Sequence, residues 1–97
     1  MATYLTFNSW TQQGVQNAKE SVTRFDAAKQ AAKAVGAEIK TVYLVMGEYD
    51  FVLVVEAPDD GTLARMVIAT GMQGNVRTKT VRAFTEDEYR TIIASLP

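Results

Sequence analysis

Two stretches of the chain, residues 41–46 and 51–55, are hydrophobic at nearly every position, and only the turn sequence Gly47-Glu48-Tyr49-Asp50 separates them. In an extended strand successive side chains point to opposite faces, so Val42, Leu44 and Met46 take one face while Tyr43 and Val45 take the other. Phe51, Leu53 and Val55 oppose Val52 and Val54 in the same way. An antiparallel sheet with one wet face alternates apolar with polar residues, and these strands do not. Both faces therefore need cover. The helices of so short a chain cover one face, and a second copy of the chain or a ligand must cover the other.

Residues 2–9 are rich in Thr, Tyr, Leu and Phe and read as a first strand that ends near Trp10. Val15 and Ala18 begin a helical spacing that Val22, Phe25, Ala28, Ala32 and Val35 continue to a stop at Gly36, with a kink expected near Ser21. The hairpin strands, residues 39–46 and 51–57, follow, joined by a turn around Gly47. Pro58-Asp59-Asp60-Gly61 then breaks the sheet, and either aspartate can cap the next helix, whose buried stripe is Leu63, Met66 and Val67. Residues 75–84 form a more polar strand with Arg77 and Lys79 on one face and Arg82 on the other, a charge pattern suited to a sheet edge. Thr85 and Glu88 make a capping box, and Phe84 and Tyr89 sit at the two ends of a hydrophobic staple. They open a C-terminal helix whose apolar positions Tyr89, Ile92, Ile93 and Leu96 need a surface to lie on.

The order is βαββαβ plus a final helix, the split βαβ pattern of a ferredoxin-like α+β fold with an antiparallel four-stranded sheet. In that topology the first and third strands are central, which agrees with residues 51–55 being the most apolar run. The second strand is an edge, yet it too is apolar on both faces, a mismatch that contact with a partner copy accounts for. A length of 97 residues makes one domain over residues 1–97.

Charge and composition mainly exclude. A net charge of -1 provides no general attraction to phosphate backbones or anionic membranes, so nucleic acid and membrane are not expected partners. Cysteine is absent, which removes disulfides and thiol chemistry. Histidine is absent too, and with it the usual general base near neutral pH, the commonest metal ligand and the usual haem ligand. Gly71-Met72-Gln73-Gly74 lacks the lysine of a phosphate-binding loop and follows a helix rather than a strand. No signal core opens the chain and no run is long enough to span a bilayer, so a cytoplasmic location is expected.

Gly47, Tyr49-Asp50, Pro58-Asp59-Asp60 and the segment Gly74-Asn75-Val76-Arg77-Thr78 leading to Arg82-Ala83-Phe84-Thr85 resemble the GYD domain family over nearly the whole chain. Glu48 stands between Gly47 and Tyr49, so the name-giving tripeptide is not contiguous, and the resemblance rests on the ensemble. It implies a small α+β protein of the dimeric α/β barrel type, in which two sheets close face to face. It brings no catalytic residue with it.

Candidate chemistry is sparse. Asp50 and Tyr49 could present a carboxylate and a hydroxyl at a cavity mouth, although glycine and aspartate in a turn also have a purely structural use. Trp10 could wall a pocket or stack on a flat ligand, its commoner use being core or interface. Arg77, with Lys79 and Arg82, could bind a carboxylate or phosphate, and solvated edge protection is the alternative. Met46, Met66 and Met72 suit core filling or an adaptable apolar pocket. Asp59-Asp60 lacks the second acidic cluster of a hard-metal site, and capping explains it. No metal and no cofactor is expected. Two readings follow. One is a non-enzymatic homodimer or higher homo-oligomer serving assembly or small-molecule binding. The other is a cofactor-independent monooxygenase- or isomerase-like enzyme with its cavity between sheet and helices, Asp50 as base and Tyr49 and Arg77 orienting the substrate.

Overall fold

A computed structural model describes residues 1–97. Four strands, β1 (Ala2–Trp10), β2 (Glu38–Leu44), β3 (Phe51–Ala57) and β4 (Val76–Ala83), form one antiparallel sheet in the order β2-β3-β1-β4. The central pair is therefore β1 and β3, as the topology requires of a ferredoxin-like arrangement. Helices α2 (Ser21–Ala34) and α3 (Asp60–Met72) connect β1 to β2 and β3 to β4 and lie on one face of the sheet. The final helix α4 (Glu86–Ala94) follows β4. No helix is long and apolar enough to cross a membrane.

The helical segment after β1 is broken twice rather than kinked once. A short helix α1 (Gln12–Gln16) is capped by Thr11, whose hydroxyl accepts from the Gly14 N–H at 3.0 Å. Asn17 ends it, one 3₁₀ turn over Ala18–Glu20 follows, and α2 starts at Ser21. Gly14 seats α1 against the chain before β4, where a Cβ would collide with the Asn75 carbonyl oxygen.

The hairpin also departs from expectation. The second strand stops at Leu44, two residues early, and residues 45–50 form an open loop closed by the Val45 N–H donating to the Asp50 carbonyl at 2.9 Å. Gly47 holds φ at +132° there, a region that only glycine enters easily. Met46, expected in the strand, is 98% exposed in this loop. A register shift between Ile39 and Thr41 puts Ile39, Val42 and Leu44 on the helix side and Thr41 and Tyr43 on the other.

The core is small. Tyr4, Ala32, Ala37, Val55, Ala57 and Leu63 form one buried cluster beneath the C-terminal end of α2 and the N-terminal end of α3. Only 12 of 97 residues are buried, so much of the chain's apolar surface lies outside this cluster. None of it covers α4, which has no buried residue.

Candidate functional site

Alternation along β1 runs against the usual rule. Tyr4, Thr6 and Asn8 lie buried under the helices, whereas Leu5 and Phe7 point to the helix-free face. Within β1, the face covered by helices thus carries a threonine and an asparagine beside Tyr4, and the uncovered face carries Leu5 and Phe7. Cross-strand pairing extends that uncovered surface through Val54 opposite Leu5, Val52 opposite Phe7 and Tyr43 opposite Val52, with Val81 on the other flank of Leu5. Tyr49 reaches back from the hairpin loop onto this face, its ring 5.0 Å from that of Phe7. Charges mark opposite corners. Arg77 and Lys79 sit beside Ser9 and Phe7 on the β4 edge, and Glu38 and Glu56 pair at the far end of β2 and β3. Glu38 has a Lys40 ammonium 3.7 Å away.

On the helix side, α2 and α3 meet the sheet at one end and leave a cavity of about 530 Å³ toward the other. Phe51, Leu53 and Val55 floor it, Ala28 and Phe25 of α2 and Met66 of α3 wall it, and Arg24 and Arg65 stand on the two helices at its rim. Phe25 meets Phe51 edge-on at 5.0 Å. Among these apolar walls Asn8 is 2% exposed, and its amide nitrogen donates to the Thr6 carbonyl at 3.0 Å and the Thr6 hydroxyl at 3.3 Å.

Trp10, Asp50, Tyr49 and Arg77 do not meet in this cavity. The Asp50 carboxylate accepts from the Trp10 backbone N–H at 2.9 Å, closing the ends of β1 and the hairpin together. The Trp10 ring packs 5.9 Å from Phe51, and its indole N–H is buried without a partner. Tyr49 and Arg77 lie on the helix-free face instead. Met66 lines the cavity, while Met46 and Met72 are exposed, a correction to their expected role as core or pocket filling that follows from their positions on the loop and at the helix end. Asn8 and Thr6 escaped the sequence reading because polar residues alternating with Leu5 and Phe7 look solvent-facing. Their signal is visible only once the helices are known to cover them.

Two aspartates at the start of α3 have separate tasks. Asp59 is the cap, accepting from the Thr62 N–H at 2.7 Å, and this hydrogen bond holds its carboxyl below the ordinary value of 3.8. Asp60 accepts the Tyr4 hydroxyl, a bond that raises the Tyr4 pKa above 10.0, with burial and the Asp60 charge adding to it. The Arg82 guanidinium stands over both the Tyr4 ring, at 5.6 Å, and the Phe84 ring, at 4.5 Å. At α4 the expected capping box forms, and the Thr85 N–H lowers the pKa of Glu88 below 4.5. Phe84 and Tyr89 nevertheless stay more than half exposed.

Comparison with known proteins adds three findings. Residues 4–93 match the family model described as GYD domain. A protein of Thermus thermophilus named glutamine synthetase and cystathionine beta-lyase binding protein is 32% identical over 84 residues, 86% of this chain and 88% of its own. The crystal structure of TTHA0845 from the same organism superposes with a TM-score of 0.53 at 27% identity, covering 88% of this chain and 95% of that one.

Proposed function

The chain belongs to the GYD domain family, and from that premise we propose that it is a non-catalytic binding module, one domain that pairs with a second copy of itself and, so paired, docks onto other enzymes. One observation carries the reading: Leu5, Phe7, Val52, Val54 and Tyr43 form an apolar face that no helix covers, with only Tyr49 of the hairpin loop laid on it at Phe7. Four strands of this length span roughly 25 by 19 Å, and together with the bare face of α4 they offer roughly 600 Å² in projection, close to the roughly 800 Å² per partner of a stable interface.

The corner charges favour a particular pairing. A two-fold axis along the uncharged diagonal of the sheet sets the Arg77 and Lys79 corner of one copy against the Glu56 corner of the other. The same operation crosses the strands of the two sheets at near right angles, one of the two arrangements in which sheets pack face to face. Docking onto enzymes is supported by the name of the Thermus thermophilus relative, which describes a protein that binds glutamine synthetase and cystathionine beta-lyase.

Sedimentation equilibrium tests the pairing: the wild-type chain runs as a dimer at low micromolar concentration, and Val54→Lys, which puts an ammonium at the centre of the face, runs as a monomer. A wild-type monomer in that range refutes the reading. Calorimetric titration with glutamine synthetase and with cystathionine beta-lyase tests the docking, and absence of heat with both removes that half.

A further inference from the structure

We propose that the cavity between α2 and α3 is a binding site for a small aromatic alcohol, its hydroxyl held by Asn8 and Thr6. A volume of about 530 Å³ falls within the range of small-molecule pockets, about 300–1,000 Å³, and apolar walls with a few convergent polar groups are their usual lining. Of the polar residues that line it, the two on the sheet floor that hydrogen-bond each other, Asn8 and Thr6, are exposed by only 2% and 4%. Burying an amide among apolar side chains is costly unless its hydrogen bonds are met, and packing alone would be better served by an aliphatic residue at position 8.

The hydrogen bonds at this pair are half met. Both bonds that Asn8 makes use its amide nitrogen, so its Oδ1 accepts nothing from the protein. In those same bonds the Thr6 hydroxyl serves as an acceptor, which leaves its proton free to donate. An acceptor without a protein partner and a hydroxyl proton free to donate, side by side on two buried residues, suit a hydroxyl, which donates to Asn8 and accepts from Thr6. The Phe25 and Phe51 rings, at 5.0 Å and edge-on in the cavity wall, suit an aromatic body beside that hydroxyl. The site lies on the opposite side of the sheet from the proposed dimer face and stands independently of it.

Calorimetric titration of the full chain with 1-naphthol and with 1-methoxynaphthalene is the test. The ether has the same rings and no proton to donate, so it should bind about tenfold more weakly, the upper end of what one hydrogen bond contributes. Asn8→Val should bring the two affinities together. Ala28→Phe, which fills the cavity from the α2 side with no change to either polar group, should abolish binding of both while the circular dichroism spectrum is retained. Val54→Lys should bind 1-naphthol as the wild type does. No saturable binding by the folded wild-type chain, equal affinity for alcohol and ether, or full binding by Ala28→Phe overturns the proposal. Should Asn8→Val fail to fold, the alcohol–ether comparison and Ala28→Phe still decide it.

Discussion

Asp50 shows how one side chain can hold a fold together without taking part in chemistry. Its carboxylate accepts the Trp10 N–H, while its own N–H donates to the Asn8 carbonyl and its carbonyl accepts from Val45. Three chain segments meet at this residue. Asp50→Ala strands the Trp10 N–H and should lower unfolding stability by about 1–3 kcal/mol, measured by urea denaturation. The glycines make an opposite pair. Gly14 has the Asn75 carbonyl where a Cβ would go, so Gly14→Ala should destabilise by about 2 kcal/mol or more. Gly71, near the end of α3, has open space around it, and Gly71→Ala should stabilise by about 0.5–1 kcal/mol. The turn character of Gly47 and Asp50 was legible from residue type alone. That Asp50 would seize the Trp10 backbone was not, because the bond joins residues 40 positions apart.

At the scale of elements, caps were the most readable feature. The Thr85–Glu88 box at α4 stands where the sequence placed it, and at α3 the cap is Asp59, the first of the two aspartates the sequence offered. Both carboxyls have depressed folded-state pKa values, Asp59 below 3.8 and Glu88 below 4.5. A depressed carboxyl binds its proton more readily in the unfolded chain, so its stabilising effect is present above the unfolded value and is lost as pH falls through the folded one. Helicity followed by circular dichroism should therefore hold from neutral pH to about pH 4.5 and decline below it, and Asp59→Asn should flatten part of that decline. The break between α1 and α2 was less legible. A continuing apolar spacing from Val15 to Val35 hides the Asn17 cap, because α1 is aligned by the Gly14 contact with Asn75 and not by its own stripe.

For the whole molecule, the unequal faces of the sheet matter most. Large apolar side chains occupy both faces of the sheet, the helices cover only one of them, and α4 leaves its own apolar residues largely exposed. A nine-residue helix is marginal alone in water, so α4 should exchange its amide hydrogens quickly in a monomeric variant such as Val54→Lys and become protected in the self-associated wild type. Lys79→Glu should weaken association at least tenfold by opposing Glu56 with a like charge, and adding Glu56→Lys should restore most of the loss, as read by sedimentation. The local pattern already held the strand and helix order, the caps, and the doubly apolar hairpin that demands cover on two sides, since each depends on neighbours within a turn or two. Which face of β1 the helices would choose, the cavity left by their uneven seating, and the burial of Asn8 and Thr6 came only with the assembled fold. Those outcomes rest on how distant segments pack, and an alternating strand carries no mark of which side will be covered.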